Sequence, residues 1–293
     1  PDAHTEAPTA GSVLLAGLVL KAGAYGLIRF LIPLFPAAAL EFAPTAMIIA
    51  VIGILYGALL AFAQTDLKRL VAYTSVSHMG FVMLGIFAWN PLALQGAIMV
   101  IVAHGLSTGA LFILVGDLYD RLGTRDLNRM GGLWETAPRM GRIGLILALA
   151  SLGLPGMANF VGEFLVLQGA YEVSRPLTVL ATLGFVLASL YSLWMLQRIF
   201  TGPNQQVWQM SDTTPRELAI YTVFIALLLL LGLYPRPVLQ TTQTAVQNLQ
   251  QLTTAPSAAR LESGEGGWAA GRYEDTVSYR PAASPGGYVD DVQ

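Results

Sequence analysis

Apolar residues run along this chain in long segments, with few charged side chains between their ends. A helix needs about 20 apolar residues to cross about 30 Å of hydrocarbon, and seven segments reach that length. Pro33 and Pro36 follow the first segment, and Pro44 opens the second. The pattern predicts an all-α polytopic membrane protein with seven transmembrane helices. Their expected bounds are residues 11–32, 44–64, 69–89, 92–117, 142–170, 177–200 and 216–234.

The fifth segment contains helix-breaking residues in its middle. Gly153, Pro155 and Gly156 lie within four residues of one another. Proline removes a backbone donor and clashes with the preceding turn, and glycine adds conformational freedom. Irregular backbone at membrane depth is tolerated only where it is buried in protein or lines a water-filled cavity. The sequence therefore predicts a broken transmembrane helix.

A carboxylic acid, Glu163, follows this break by one to two helical turns, in otherwise apolar sequence. An ionisable side chain inside a membrane segment is a functional candidate by default, because it is costly to keep there. The alternative is a proline-kinked helix in which Glu163 only bonds a neighbouring backbone group.

The composition narrows the class of protein. Of the 293 residues, 54% are hydrophobic and 12% charged, whereas soluble domains carry about 25% charged residues. The net charge of −2 predicts no nucleic-acid partner. With no cysteine, disulfides and iron–sulfur ligation are excluded. No phosphate-binding glycine motif or haem pattern occurs, so we expect no cofactor. The chain starts at Pro1 without a signal-peptide pattern, so we expect a piece of a longer protein.

One lysine, Lys21, lies near the middle of the first segment, about ten residues from either end. That is roughly 15 Å along a helix, too far for its ammonium group to reach an interface comfortably. Burial penalises the charged form, so the two charge states of Lys21 come close in free energy, as a proton carrier requires. The alternative is a static Lys21 paired with a carboxylate on another helix.

The third and fourth segments each contain one histidine, His78 and His104, beside hydroxyl-bearing and small residues. Histidine titrates near neutral pH, and it can take up a proton at one ring nitrogen and release it from the other. Together with Lys21 and Glu163, the two histidines form a candidate proton relay. The alternative is two histidines that only satisfy hydrogen bonds. We expect no metal site, because the ligand spacing of metal centres is missing.

Lysine and arginine are divided unevenly between the two sides of the predicted bundle. Only Arg29, Arg175 and Arg236 lie close to the membrane on one side, against nine basic residues on the side of the N-terminus. The positive-inside rule then places the first residues in the cytoplasm, and seven crossings place the C-terminal tail outside. The nine are Lys68, Arg69, Arg121, Arg125, Arg129, Arg139, Arg142, Arg198 and Arg216.

The character of the chain changes after residue 235. Residues 238–252 are compatible with a short polar helix, and from about residue 253 glycine, serine, alanine, proline and acidic residues dominate. Such a composition cannot bury enough apolar surface to offset its chain entropy. We therefore predict a transmembrane domain over residues 1–235 and a polar, largely disordered tail over residues 236–293.

Long stretches of the chain resemble the antiporter-like subunits of respiratory complex I, a family that includes subunits of Mrp-type cation/proton antiporters and of related hydrogenases. The resemblance covers roughly residues 1–235 and implies a fourteen-helix fold with two inverted five-helix repeats, each with one broken helix. This chain is then expected to hold the last seven helices, of which the second to the sixth form the complete second inverted repeat. The tail departs from the short ending usual in the family. The resembling stretches are residues 2–17, 62–81, 103–116, 130–133 and 154–165.

The resemblance implies roles for four residues. Lys21 matches the central lysine of the family, His78 and His104 match polar positions of its central axis, and Glu163 matches the acid on the exit side. It implies a proton-translocating membrane subunit of NADH–quinone oxidoreductase, without a redox centre of its own. The implied location is the plasma membrane of a bacterium, in the lipid bilayer beside the other membrane subunits of complex I.

Glutamate at position 163 is typical of the subunit M group and its mitochondrial relative, subunit 4, whereas subunits L and N usually carry lysine there. The corresponding subunit of Mrp-type antiporters can share this glutamate, so an Mrp-type Na⁺/H⁺ antiporter remains the alternative function. A third alternative is a scaffold that has lost transport. Lys21 and Glu163 argue against it, since intramembrane charges cost at least a few kcal/mol each and a scaffold gains nothing from them.

Overall fold

The computed structural model describes residues 1–263, with side chains as far as residue 249. Within these residues the chain is helical between short loops, and the only extended pairing is an isolated antiparallel bridge between Asp66 and Asp126. The predicted all-α class is confirmed. The helices are α1 (Asp2–Glu6), α2 (Thr9–Leu34), α3 (Pro36–Phe62), α4 (Leu67–Phe87), α5 (Pro91–Leu122), α6 (Leu133–Thr136), α7 (Pro138–Ser151), α8 (Ala158–Val173), α9 (Arg175–Phe200), α10 (Pro215–Leu233) and α11 (Arg236–Ser263).

The predicted start of the second membrane helix is wrong. Helix α3 begins at Pro36, and Pro44 lies inside it. Phe35 leaves the helical conformation (φ −132°, ψ 56°), as expected for a residue that precedes proline. The prolines therefore act differently. Pro36 stands at the first position of a helix, where its missing N–H has no intrahelical partner to lose, and Pro44 is accommodated within the long apolar helix.

The predicted break in the fifth segment is confirmed. Helix α7 ends at Ser151 and α8 begins at Ala158. Gly153 and Gly156 both have positive φ values, 77° and 97°, which a residue with a side chain rarely adopts. The chain therefore leaves the helix at the glycines and re-enters it just before the segment that carries Glu163.

Six helices of the described chain are long and apolar enough to cross a membrane, namely α2, α3, α4, α5, α9 and α10. Helices α7 and α8 have 14 and 16 residues, so each is too short to cross alone. The count of seven crossings stays a prediction. It is reached only if α7, the break and α8 together form a seventh, interrupted span.

Glycines allow α5 and α8 to pack at backbone contact. A Cβ atom at Gly96 of α5 would lie 2.5 Å from the backbone nitrogen of Val166 on α8. A Cβ atom at Gly162 of α8 would lie 2.6 Å from the backbone nitrogen of Val100 on α5. Small residues at such crossings let membrane helices approach closely. This crossing holds the helix of His104 against the helix of Glu163.

At one end of the bundle, hydrogen bonds and an ion pair join the loop between α3 and α4 to the loop that follows α5. The backbone N–H of Leu67 donates to Arg125 at 2.9 Å, and the N–H of Leu127 donates to Thr65 at 2.8 Å. The Arg125 guanidinium lies 3.2 Å from the Asp66 carboxylate. These loops carry basic residues that the sequence placed on one side of the membrane, so the structure gathers them at the same end of the bundle.

A carboxylate from the loop after α9, Asp212, caps the start of α7. Its oxygens accept hydrogen bonds from the backbone N–H groups of Arg139 at 2.9 Å and Met140 at 3.0 Å. Burial raises the pKa of Asp212, but the hydrogen bonds from the backbones of Arg139, Thr213 and Met140 together lower it by more. The pKa therefore lies below its usual range. The cap therefore favours the ionised carboxylate at the positive end of the helix.

We expect Asp212→Asn to lower the stability of the folded chain by about 0.5 kcal/mol at neutral pH, because asparagine keeps one acceptor oxygen but loses the second oxygen and the negative charge at the start of the helix. Since folding lowers the pKa of Asp212, the wild-type advantage is fully present above the ordinary pKa of about 4. It is lost as the pH falls through the folded-state value. Apparent melting temperatures at neutral pH and at about pH 3 test this. The exposed Asp120→Asn is the control, and a difference that stays equal at both pH values would contradict the prediction.

The short polar helix predicted for residues 238–252 lies within α11, which continues beyond it to Ser263. The helices up to Thr253 belong to one compact unit. The predicted boundary at residue 235 stays a prediction. The predicted disorder begins at about residue 253, whereas α11 is helical as far as Ser263, and residues 264–293 lie outside the described residues.

Candidate functional site

Lys21 lies on α2 between two π-helical stretches, Leu15–Val19 and Leu27–Leu31. Such local widening of a helix is frequent at functional sites. The side chain is buried, and its ammonium group donates to the carbonyl of Ala16. Its Nζ atom also lies 2.7 Å from Nδ1 of His104. Within the described residues Lys21 forms no salt bridge with a carboxylate.

The contact between Lys21 and His104 depends on two glycines. Gly17 of α2 and Gly105 of α5 meet where the helices cross, since a Cβ atom at Gly105 would lie 3.0 Å from the carbonyl oxygen of Gly17. Gly17 lies about one turn before Lys21, and Gly105 follows His104 directly. The close approach of the two backbones therefore brings the ammonium group to the imidazole ring.

His104 is fully enclosed and has a partner at each ring nitrogen. Nδ1 faces Lys21, and Nε2 lies 3.1 Å from the hydroxyl of Thr108, one turn further along α5. An ammonium group has only donors, so beside a charged Lys21 the Nδ1 atom accepts and Nε2 carries the proton of a neutral ring. Transfer of one proton from Lys21 to Nδ1 reverses this hydrogen bond and leaves an imidazolium ring, which still carries its proton at Nε2.

A second hydrogen-bonded pair joins α4 to α8. Nδ1 of His78 lies 2.6 Å from Oε1 of Glu163, and both side chains are buried, with exposures of 1% and 0%. Nε2 of His78 lies 3.0 Å from the hydroxyl of Tyr191 on α9. When Glu163 is ionised its carboxylate only accepts, so Nδ1 of His78 then carries the proton between them.

The two pairs meet at the histidines. The ring centroids of His78 and His104 are 5.4 Å apart, with the ring planes tilted by 58°. Lys21, His104, His78 and Glu163 therefore follow one another in a buried row that runs through α2, α5, α4 and α8. The only interval of the row without a direct hydrogen bond is the one between the two rings.

The far end of the row lies against the helix break. Oε2 of Glu163 has no hydrogen-bond partner among the described residues. A Cβ atom at Gly153, in the break, would lie 3.5 Å from that oxygen. Gly153 therefore lies close to the carboxyl oxygen that His78 does not contact. This geometry joins the two features that the sequence singled out separately.

The structure brings together all four predicted site residues and adds others that sequence reasoning missed. Tyr191 contacts His78, and Thr108 contacts His104. Beside them, the amide of Asn159 donates to the hydroxyl of Ser107 at 3.0 Å and links α8 to α5. A tyrosine within an apolar segment carries no sequence signal for a buried partner, so Tyr191 could not be found from the pattern. Among the side chains that the structure describes, no three of histidine, aspartate or glutamate lie around a common point that could hold a metal ion.

Comparison with known sequences agrees with the predicted family. Residues 1–190 match the family described as NADH:quinone oxidoreductase/Mrp antiporter, TM. NADH-quinone oxidoreductase subunit M of Pseudomonas aeruginosa is 57% identical over 251 residues, which cover 86% of this chain and 49% of the relative. Subunit M of Escherichia coli strain K12 is 53% identical over 254 residues, which cover 86% and 50%. The chain thus spans about half the length of the curated relatives it matches.

Two solved structures share the fold. A chain of respiratory complex I from Thermus thermophilus with bound NADH has a TM-score of 0.78 and 35% identity, covering 84% of this chain and 52% of that one. A chain of the Mrp complex from Dietzia sp. has a TM-score of 0.74 but only 21% identity, covering 85% and 55%, so it shows the fold alone. Since the family match extends over 190 of 293 residues, this chain belongs to the NADH:quinone oxidoreductase/Mrp antiporter transmembrane family.

Proposed function

We propose that this chain belongs to a proton-translocating membrane subunit of NADH–quinone oxidoreductase and moves protons along Lys21, His104, His78 and Glu163. The observation that carries the proposal is the buried row itself, in which two hydrogen-bonded pairs meet at neighbouring imidazole rings. Quinone reduction takes place elsewhere in the complex, and the chain has no redox centre of its own.

The first transfer takes place between Lys21 and His104. The ammonium group of Lys21 gives a proton to Nδ1 of His104 across 2.7 Å, which leaves a neutral amine and an imidazolium ring. Release of the proton from Nε2 then restores a neutral ring. Thr108 contacts that nitrogen and can both accept and donate a hydrogen bond, so it keeps Nε2 satisfied in either charge state.

The second transfer ends on Glu163. His78 takes up a proton at Nε2 and gives the Nδ1 proton to Oε1 of Glu163 across 2.6 Å, so the ring is again neutral and the carboxylate becomes an acid. Between the rings, whose centroids are 5.4 Å apart, the proton crosses by way of a water molecule. Oε2 of Glu163 faces the helix break, from which the proton leaves the chain.

The driving step is electrostatic. A change of charge on a neighbouring group along the axis alters the proton affinity of Lys21, and the change passes along the row to Glu163. The partners are the neighbouring antiporter-like membrane subunits of complex I, a proposal that the naming of the relatives as complex I subunits supports.

The orientation is part of the proposal. The loops with more lysine and arginine lie at one end of the bundle and face the cytoplasm of a bacterium. Glu163 then releases protons outside, and the C-terminal tail lies outside. The gathering of Arg125, Asp66 and their neighbouring loops at a single end supports this assignment.

An Mrp-type Na⁺/H⁺ antiporter is the second candidate, and its support is the fold shared with the Mrp complex from Dietzia sp.. Relatives named subunit M are more than twice as similar in sequence, at 57% and 53% against 21% identity. Co-purification with NADH dehydrogenase subunits, or with small Mrp subunits, distinguishes the two assemblies.

The full-length subunit, returned to a strain that lacks it, tests the function. We expect membrane vesicles to regain NADH-driven proton uptake, because the relay completes a path that electron transfer drives. Vesicles with the Lys21→Met subunit serve as the matched control and remain without uptake, since methionine fills a similar volume but carries no proton. Proton exchange driven by a Na⁺ gradient without NADH would contradict the proposal and support the Mrp alternative.

A further inference from the structure

Tyr191 of α9 contacts Nε2 of His78, the ring nitrogen that does not face Glu163. Its hydroxyl lies 3.0 Å from Nε2 of His78, the two rings are nearly perpendicular at 84°, and their centroids are 6.5 Å apart. Tyr191 is 1% exposed and is among the largest fully buried side chains of the described chain. Nε2 of His78 is the one described partner of this hydroxyl.

The contact fits both charge states of His78. When the ring is neutral and Nδ1 faces Glu163 with its proton, Nε2 is an acceptor and the Tyr191 hydroxyl donates to it. When the ring is an imidazolium, Nε2 carries a proton and donates a hydrogen bond to the oxygen of the same hydroxyl. A hydroxyl can make this exchange by rotating its hydrogen, whereas an apolar side chain would leave a buried nitrogen without a partner in both states.

We propose that Tyr191 is a positioning residue of the relay, which keeps His78 hydrogen-bonded at Nε2 while Nδ1 stays aligned on Glu163 through a cycle of protonation. The inference rests on the proposed function and deepens it. Other titratable groups that face His78 are Glu163 of α8 and His104 of α5, with Lys21 of α2 beyond His104.

The effect of losing the hydroxyl differs between the two charge states. A hydrogen bond to a charged group contributes more than one to a neutral group, and a buried charged donor without a partner is the costlier defect. Without Tyr191's hydroxyl, the imidazolium is therefore harder to form, and a higher proton concentration is needed to charge His78. The alkaline limit of proton pumping then moves to lower pH.

Tyr191→Phe in the full-length subunit tests this, because phenylalanine keeps the ring and removes only the hydroxyl. Proton uptake per NADH oxidised is measured in membrane vesicles across a range of pH. We expect the alkaline limit of this ratio to shift by about one pH unit towards acid, with pumping at lower pH retained. Because uptake is divided by NADH oxidised, a lower yield of assembled complex does not alter the readout.

Tyr221→Phe is the matched control, since Tyr221 is also fully buried and its hydroxyl donates to Asp117 at 2.6 Å, away from the histidines. We expect its pH profile to match the wild type. Equal profiles for Tyr191→Phe, Tyr221→Phe and wild type overturn the inference. It is also overturned if only Tyr191→Phe prevents assembly, since the hydroxyl then serves the fold. If Glu163→Gln pumps normally, the proposed function fails instead.

Discussion

Glu163→Gln in the full-length subunit should abolish NADH-driven proton uptake while the complex still assembles and oxidises NADH. Glutamine has almost the volume of glutamate. In the wild-type protein Nδ1 of His78 lies 2.6 Å from Oε1 of Glu163, and the amide oxygen of glutamine can still accept this hydrogen bond. An amide takes up no proton at physiological pH, so the row ends at His78. The fold is preserved and the transfer is not.

The matched control for this change is Glu163→Asp. Aspartate keeps the acid but withdraws it by one methylene, so its carboxyl lies further from His78 and proton transfer should be slower by about tenfold or more. Proton uptake per NADH oxidised, measured in membrane vesicles, ranks the three proteins as wild type, aspartate and glutamine. Normal pumping by the glutamine variant with active quinone reduction would show that Glu163 is not the exit group.

Gly96→Ala on α5 should strongly reduce both assembly and pumping. The added Cβ atom would lie 2.5 Å from the backbone nitrogen of Val166 and 2.7 Å from the carbonyl oxygen of Gly162. Carbon atoms pack best at about 3.5–4.0 Å, so α5 and α8 must move apart by about 1 Å. Overpacking of this kind costs about 1–3 kcal/mol, and it displaces Glu163 from the histidines. Misplacement of about 1 Å can reduce a reaction by about 100-fold.

Gly109→Ala provides the control on the same helix. A Cβ atom there would meet Phe224 at 3.8 Å and Val13 at 3.9 Å, which is ordinary contact. Both substitutions raise intrinsic helix propensity by the same amount, so that effect cancels between them. The measurements are the amount of assembled complex in membranes and proton uptake per NADH oxidised. Equal behaviour of the two alanine variants would contradict the close crossing of α5 and α8.

The features that the sequence predicts correctly are those with local determinants. The apolar segments predict the long helices because helix length in a membrane depends on the hydrocarbon thickness. Gly153, Pro155 and Gly156 predict the break because proline removes a backbone donor and glycine adds conformational freedom. Pro44 was misjudged as the start of a helix, since the effect of a proline depends on whether it stands at the first turn or inside.

The four candidate residues could be named from the chain, because ionisable side chains in apolar segments are few and costly. Their pairing could not. Lys21 and His104 are 83 positions apart, His78 and Glu163 are 85 apart, and Tyr191 is 113 from His78. No periodicity extends over such separations, and a tyrosine among apolar residues looks like any other core side chain.

The sequence by itself therefore determined the class of protein, the long apolar helices, the broken helix and the buried groups able to carry a proton. Only the tertiary structure decided that these groups form one row, that Tyr191 and Thr108 complete the two histidines, and that Asp212 caps the helix before the break. The physical reason is the helix crossings. Glycines such as Gly17 and Gly96 permit backbone contact, and that contact selects which side chains meet across the bundle.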